Sequence, residues 1–217
     1  MTPVGFLGFR FHFAVVLAAA LLGACSSPTI REESTAALAD RTKPIQVVAV
    51  MPFAVSQGVR DASLQGAAFS PDAAVRVVSQ QVTAILDERN VRIVSTEDVG
   101  SALYATGSAA QMPEVAQLLA EAFAADAVIF GRLMRWVERQ GTAAAASRGA
   151  SVAFEIALFD APGGVQLWSA VFDQTQLPLS ENVLQASQLP GGGTRWLTAE
   201  ELARWGAERI ARLIPLK

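Results

Sequence analysis

Cys25 and His12 are the only cysteine and the only histidine among 217 residues. A thiolate nucleophile needs the first, an imidazole base needs the second, and transition-metal sites draw mainly on both. The residues around Cys25 assign it a different chemistry. Arg10 precedes an apolar run from Phe13 to Leu22, and the small residues Gly23 and Ala24 follow it. A basic start, about ten apolar residues and a small-residue end are the parts of a secretory signal. The run is roughly half the length an α-helix needs to cross a bilayer. Cleavage between Ala24 and Cys25 makes residues 1–24 a signal peptide and removes His12 with it. Ser-His-Asp and Cys-His nucleophile systems are then excluded, as are His/Cys metal sites, and no cofactor is implied. With a single cysteine no intramolecular disulfide can form.

The stretch Leu22-Gly23-Ala24-Cys25 resembles the lipobox of bacterial lipoproteins. That resemblance implies a diacylglycerol on Cys25, with acyl chains such as palmitate. Each buried methylene contributes about 0.8 kcal/mol, and more than one chain gives stable attachment. Ser26, rather than Asp, follows the cysteine. As a sorting residue it implies an outer-membrane lipoprotein facing the periplasm, with the inner membrane as the alternative.

The remaining chemistry is thin. Loss of residues 1–24 leaves 16 basic against 20 acidic side chains, a net of −4, and no basic stripe stands out. Nucleic acid is therefore not an expected partner. Gly191-Gly192-Gly193-Thr194 lacks the lysine and strand context of a phosphate loop. Lysine occurs only at Lys43 and Lys217, so a serine–lysine dyad would have to use Lys43 in or beside the tether. Carboxylate chemistry needs only two acids at a suitable separation, with Asp126, Glu155 and Asp173 as candidates. Each also has a structural reading, as a turn residue or on the less apolar side of a strand. Arg132, Arg135 and Arg139 suggest an anion patch, but strand alternation should send Arg132 and Arg135 to opposite faces. Trp136, Trp168 and Trp205 fall on strands and a helix stripe, which predicts core packing. Trp196 falls in a loop.

The elements that must position these residues follow from periodicity. Ser26 to Lys43 is small and polar, which predicts a lipidated tether over residues 25–43 that gives reach. Ile45 to Ala54 reads as a buried strand ended by Pro52, and Gln57 to Ser70 as a loop. Ser70 and Pro71 open a helix with an apolar stripe of Val75, Val78, Val82, Ile85 and Leu86, stopped near Asn90. Val91–Val94 is a short strand, Ser95 with Asp98 starts a second helix, and Pro113 a third. Ala127 to Val137 is a strand, Gly141 to Gly149 a loop of small residues. Ser151 to Asp160 and Val165 to Thr175 form a hairpin around Asp160-Ala161-Pro162-Gly163-Gly164. Thr198 and Glu201 form a capping box for the last helix, with Leu197 and Leu202 as a staple. The order predicts a single α/β (α+β) domain over residues 44–217. Early βαβ units precede an antiparallel meander in a mixed sheet of about five strands, with helices packed on it.

Three stretches, Ala125-Asp126-Ala127-Val128-Ile129-Phe130-Gly131, Phe172–Asn182 and Arg195–Leu202, occur in this order after a lipobox. Together they resemble a group of uncharacterised bacterial envelope lipoproteins. The architecture is similar to the TolB amino-terminal domain and to curli-assembly and penicillin-binding-protein-activator lipoproteins. That resemblance implies contact with other envelope proteins and no catalytic residues. The long polar connection from Asp173 to Trp196 is the expected partner-binding loop, with Gln176, Pro178, Glu181, Asn182 and Trp196 as its candidate residues. The expected function is non-enzymatic: a membrane-anchored lipoprotein that binds or scaffolds another envelope component. The alternatives are a subunit of an oligomeric secretion or assembly complex and a carboxylate-dependent cell-wall hydrolase.

Overall fold

The computed structural model describes residues 30–64, 69–106, 111–178 and 189–216. In chain order the first elements are β1 (Ile30–Ser34), the single turn α1 (Ala36–Ala39), β2 (Val47–Val50), β3 (Ala54–Val55), α2 (Gln57–Leu64) and α3 (Pro71–Glu88). Then come β4 (Arg92–Val94), α4 (Thr96–Thr106), α5 (Met112–Phe123), β5 (Ala127–Val137), β6 (Gln140–Gly141) and β7 (Ala146–Arg148). β8 (Ser151–Asp160), β9 (Gln166–Thr175) and α6 (Ala199–Leu213) complete the domain.

The strands lie in the order β1-β9-β8-β5-β2-β4. β2 is parallel to β4 and β5, whereas β5, β8, β9 and β1 form antiparallel pairs. β3 also pairs with β5, in line with β2, so the two are one strand interrupted around Pro52. Proline lacks the N–H a continuous ladder needs, while Met51 N on one side donates to Ile129 O at 2.9 Å. The expectation of about five strands is thus corrected to seven in the main sheet, with β6 and β7 as a separate two-stranded hairpin.

Burial follows from this topology. The parallel part is covered on both faces, as connections through helices require. Val48, Val50 and Ile129 pack in the core shared with α3 and α6. Ala49, Val128 and Val94 pack with Val99, Val115 and Leu119 of α4 and α5. In the antiparallel part α6 packs on one face, and on the other small residues such as Ala153, Ala157 and Ser169 are buried beneath longer neighbouring side chains. Val152, Phe154, Ile156, Leu158, Trp168 and Phe172 join Leu202 and Ile210 of α6 in the main core. The Phe154 and Phe172 rings stack at 5.0 Å, and Trp205 meets Phe172 edge-on at 5.8 Å.

Local signals placed most helix ends where expected. Ser70 Oγ accepts from Ala73 N, Ser95 Oγ accepts from Asp98 N, and Asn90 sits at φ 58°, where the helix ends. Both halves of the Thr198–Glu201 capping box are made, at 3.1 and 2.9 Å.

Four readings differ. Gln57–Leu64, expected as a loop, is a helix that buries only Val59, too little to show as a stripe. The small-residue loop at 141–149 holds the β6–β7 hairpin. Ile30–Ser34, inside the expected tether, is an edge strand paired with β9, and Thr35 Oγ1 donates to Gln166 O. Only Ile30 of β1 is even partly buried. Its backbone ladder, rather than apolar burial, holds it, and composition does not reveal that. Finally, Arg132 and Arg135 share one face. The pairing of β5 with β8 shifts between Leu133 and Arg135, and this bulge resets the alternation.

Candidate functional site

The sheet has two ends. The turn end carries residues 161–165, which join β8 to β9; the clasp end is where β9 finishes and α6 begins.

At the clasp end the residue after β9 is Gln176, only 3% exposed. Its backbone N donates to Ala150 O at 2.9 Å. Its side-chain Nε2 donates to Arg195 O at 2.8 Å, and its Oε1 accepts from Leu197 N at 2.7 Å. One buried amide therefore ties the end of β9 to the chain that leads into α6. Both polar atoms of that amide are used, as burial requires. Trp196 is held between these bonds: its N donates to Ala143 O at 2.9 Å, and its O accepts from Arg139 Nη1 at 2.6 Å. The ring rests on Gly149, where an added Cβ would lie 2.8 Å from Trp196 and 2.0 Å from Gln176 O. Glycine is required there by close approach.

The start of α6 is charged to match. Glu138 accepts from Ala199 N at 3.2 Å through either oxygen, placing a carboxylate at a helix N-terminus. Burial acts to raise the Glu201 carboxyl, but the Thr198 backbone N–H, Arg195 and Arg139 outweigh it and hold it below the usual carboxylate range. Around this seat the surface is apolar in part. Leu177 is 45% exposed, and Pro178 and Trp196 are half-buried.

Of the candidate loop residues, Pro178 and Trp196 are half-buried on either side of the Gln176 tie. Gln176 is a buried tie rather than a contact residue. Its burial was hidden from the sequence because its partners lie 19 and 21 positions on. Glu181 and Asn182 lie outside the described residues, as do Ala24, Cys25 and Ser26. Leu177 was overlooked, although it stands between two named residues and an isolated leucine in a polar stretch is a usable signal.

Asp126 lies apart from Glu155 and Asp173, which are diagonal neighbours on one face of β8 and β9, and all three carboxylates are partnered. Asp126 Oδ2 accepts from Gln46 N and Val47 N, both at 2.9 Å. Glu155 pairs with Arg132 at 2.6 Å, and Asp173 pairs with Arg135 on the same face. Arg135 Nε also donates to Ser151 Oγ at 2.7 Å. The suggested anion patch is therefore a set of ion pairs on a solvated sheet face. Trp136 and Trp168 are buried, and Trp205 stacks under Arg209 at 5.0 Å. Among the described residues no three His, Cys, Asp or Glu side chains gather as a metal site would need. Nor is any described helix long and apolar enough to cross a membrane. A groove of about 550 Å³ between α3 and β4 is lined by Ser79, Thr83, Asp87, Ile93 and Thr96 and lies across the sheet from the clasp.

No protein-family model matches the sequence, and no curated protein is similar to it. Solved structures of bacterial proteins are similar to it, three of them as follows. The PelC dodecamer from Paraburkholderia phytofirmans is 16% identical, over 83% of this chain and 92% of that chain, with a TM-score of 0.44. Lipoprotein GNA1162 from Neisseria meningitidis is 17% identical, over 60% and 80%, with a TM-score of 0.41. The LpoB C-terminal domain from Escherichia coli is 13% identical, over 64% and 90%, with a TM-score of 0.39.

Proposed function

We propose that the protein is a lipid-anchored, periplasm-facing docking lipoprotein. Acylated Cys25 confines the domain to a membrane, and the surface around Leu177, Pro178 and Trp196 engages another envelope protein without catalysis. The observation that carries this reading is the Gln176 tie. A slack connector needs no buried amide fixing both of its ends, whereas a presented binding segment does. Anchoring adds to the docking surface by raising the local concentration of the domain for partners at the same membrane. The resemblance of the element order to the TolB amino-terminal domain is consistent with this role. The absence of imidazole from the mature chain and the partnered state of Asp126, Glu155 and Asp173 weigh against the hydrolase reading.

In-cell crosslinking followed by affinity purification and mass spectrometry, with wild type and Cys25→Ser side by side, tests the proposal. A discrete envelope protein recovered with the anchored form, and lost or sharply reduced with Cys25→Ser, is the expected result. Recovery of self-crosslinked species alone would replace docking with an oligomeric assembly. No recovery from either form would contradict it.

A further inference from the structure

We infer that the clasp end of the sheet sits in the headgroup layer of the anchoring membrane, with β6–β7 facing lipid and the turn end pointing away. This rests on the reading of Cys25 as the lipidated residue.

The inference comes from register and reach. Four residues separate Cys25 from Ile30, the first residue of β1, so five Cα-to-Cα steps join them. At most about 3.6 Å per residue, they span no more than about 18 Å. Ile30 pairs with Phe172, and β1 runs antiparallel to β9, so Ile30 is the end of β1 nearer Thr175. From Phe172, three residues, or about 10 Å of strand, lead to Thr175 at the clasp end. Six residues, about 20 Å, lead back to Gln166, and the turn around Pro162 lies beyond that. With the turn end on the membrane, Ile30 would stand more than about 20 Å above it, past the reach of the anchor. With the clasp end down, Cys25 passes the level of Thr175 by no more than about 8 Å. Whatever projects beyond Thr175 is then held at or within the headgroup layer.

What projects there suits a lipid surface. β6–β7 continues from Val137, which pairs with Ser151, itself the partner of Thr175. Between Gln140 and Ser147 the hairpin carries no charge and four consecutive alanines, with Ala144 and Ala145 exposed. Arg139 and Arg148 flank it. Small uncharged side chains cost little to place among headgroups, and the exposed Arg148 is attracted to an anionic leaflet. The tether therefore holds the domain down instead of giving it reach, and the docking surface around Trp196 meets its partner at the membrane.

Single-cysteine labelling of the full-length lipidated protein tests the orientation, since acylation leaves the Cys25 thiol unreactive. Ala144→Cys and Pro162→Cys, both at exposed positions, are labelled with a thiol-reactive fluorophore and reconstituted in phosphatidylethanolamine–phosphatidylglycerol vesicles. A nitroxide on the lipid headgroups serves as quencher. The expected result is co-sedimentation of both proteins with the vesicles and quenching at position 144 several-fold greater than at 162. Co-sedimentation with equal or reversed quenching overturns the orientation and leaves the anchor standing. Failure to sediment, with Cys25 itself labelled, overturns the anchor reading and the inference together.

Discussion

At the turn end, five residues carry the chain from β8 to β9, and the bonds that close it are local. Asp160 N donates to Val165 O, Gly164 N donates back to Asp160 O, and Gly163 N donates to the Asp160 carboxylate, each at 2.8 Å. Gly164 has a φ of 63°, and an added Cβ would lie 2.3 Å from Pro113. At the clasp end, 23 residues separate β9 from α6, and the closing bonds run from Gln176 to residues 19 and 21 positions on. The turn end closes the shortest route between strands and is also braced at long range, by the Arg41–Asp160 ion pair and by Ala161 N donating to Asp126 O at 3.0 Å. The clasp end spends a buried amide on joining residue 176 to residues 195 and 197. Such a tie has a use where the chain there meets something else, and this is why function is assigned to one end only.

Four substitutions sharpen or break that contrast. The largest expected effect is at the turn end, where Gly164→Ala combines a left-handed backbone with a clash on Pro113. It should cost about 3 kcal/mol in urea denaturation and leave partner capture per folded molecule unchanged. Next, Gln176→Leu keeps the volume but strands Leu197 N–H and Arg195 C=O. A loss of about 2 kcal/mol is expected, and unlike Gly164→Ala it should also abolish capture. Thr198→Ala removes the cap of α6 and should cost about 1 kcal/mol, with capture little altered. Smallest in stability is Leu177→Ser, within about 0.5 kcal/mol of wild type. It should nonetheless reduce capture several-fold, and no reduction would show that the exposed leucine is incidental.

Glu201 adds a pH dependence to the α6 cap. Its folded-state carboxyl is held below its ordinary 4.5, so its contribution is complete above that value. It fades as pH falls through the lower, folded value. Glu201→Gln should flatten this part of the acid limb of stability, measured by thermal melting at successive pH values.

The sequence was most legible where structure is decided locally. Ser70-Pro71, Asn90, the Asp160–Gly164 turn and the Thr198–Glu201 box each carry their own hydrogen-bond chemistry within a few residues. Legibility failed where the deciding partner is distant or is backbone. β1 is a polar strand held by a ladder to residues more than 130 positions away. The bulge beside Met134, which returned Arg135 to the face of Arg132, leaves no mark in composition. At the site, Trp196 and Pro178 were readable as loop residues near a long connection. Gln176 was chosen for the right neighbourhood and the wrong role, because a polar side chain's burial depends on acceptors and donors brought to it by the fold.

Val165 at the turn end is 51% exposed and Leu177 at the clasp end 45%, so the two present similar apolar side chains to solvent. A photo-crosslinking amino acid placed at each position in turn, in living cells with the lipid anchor intact, tests the account most directly. A discrete envelope protein captured from position 177 and not from 165 is the predicted result. Equal capture from both positions, or capture from 165 alone, would contradict the assignment of docking to the clasp end.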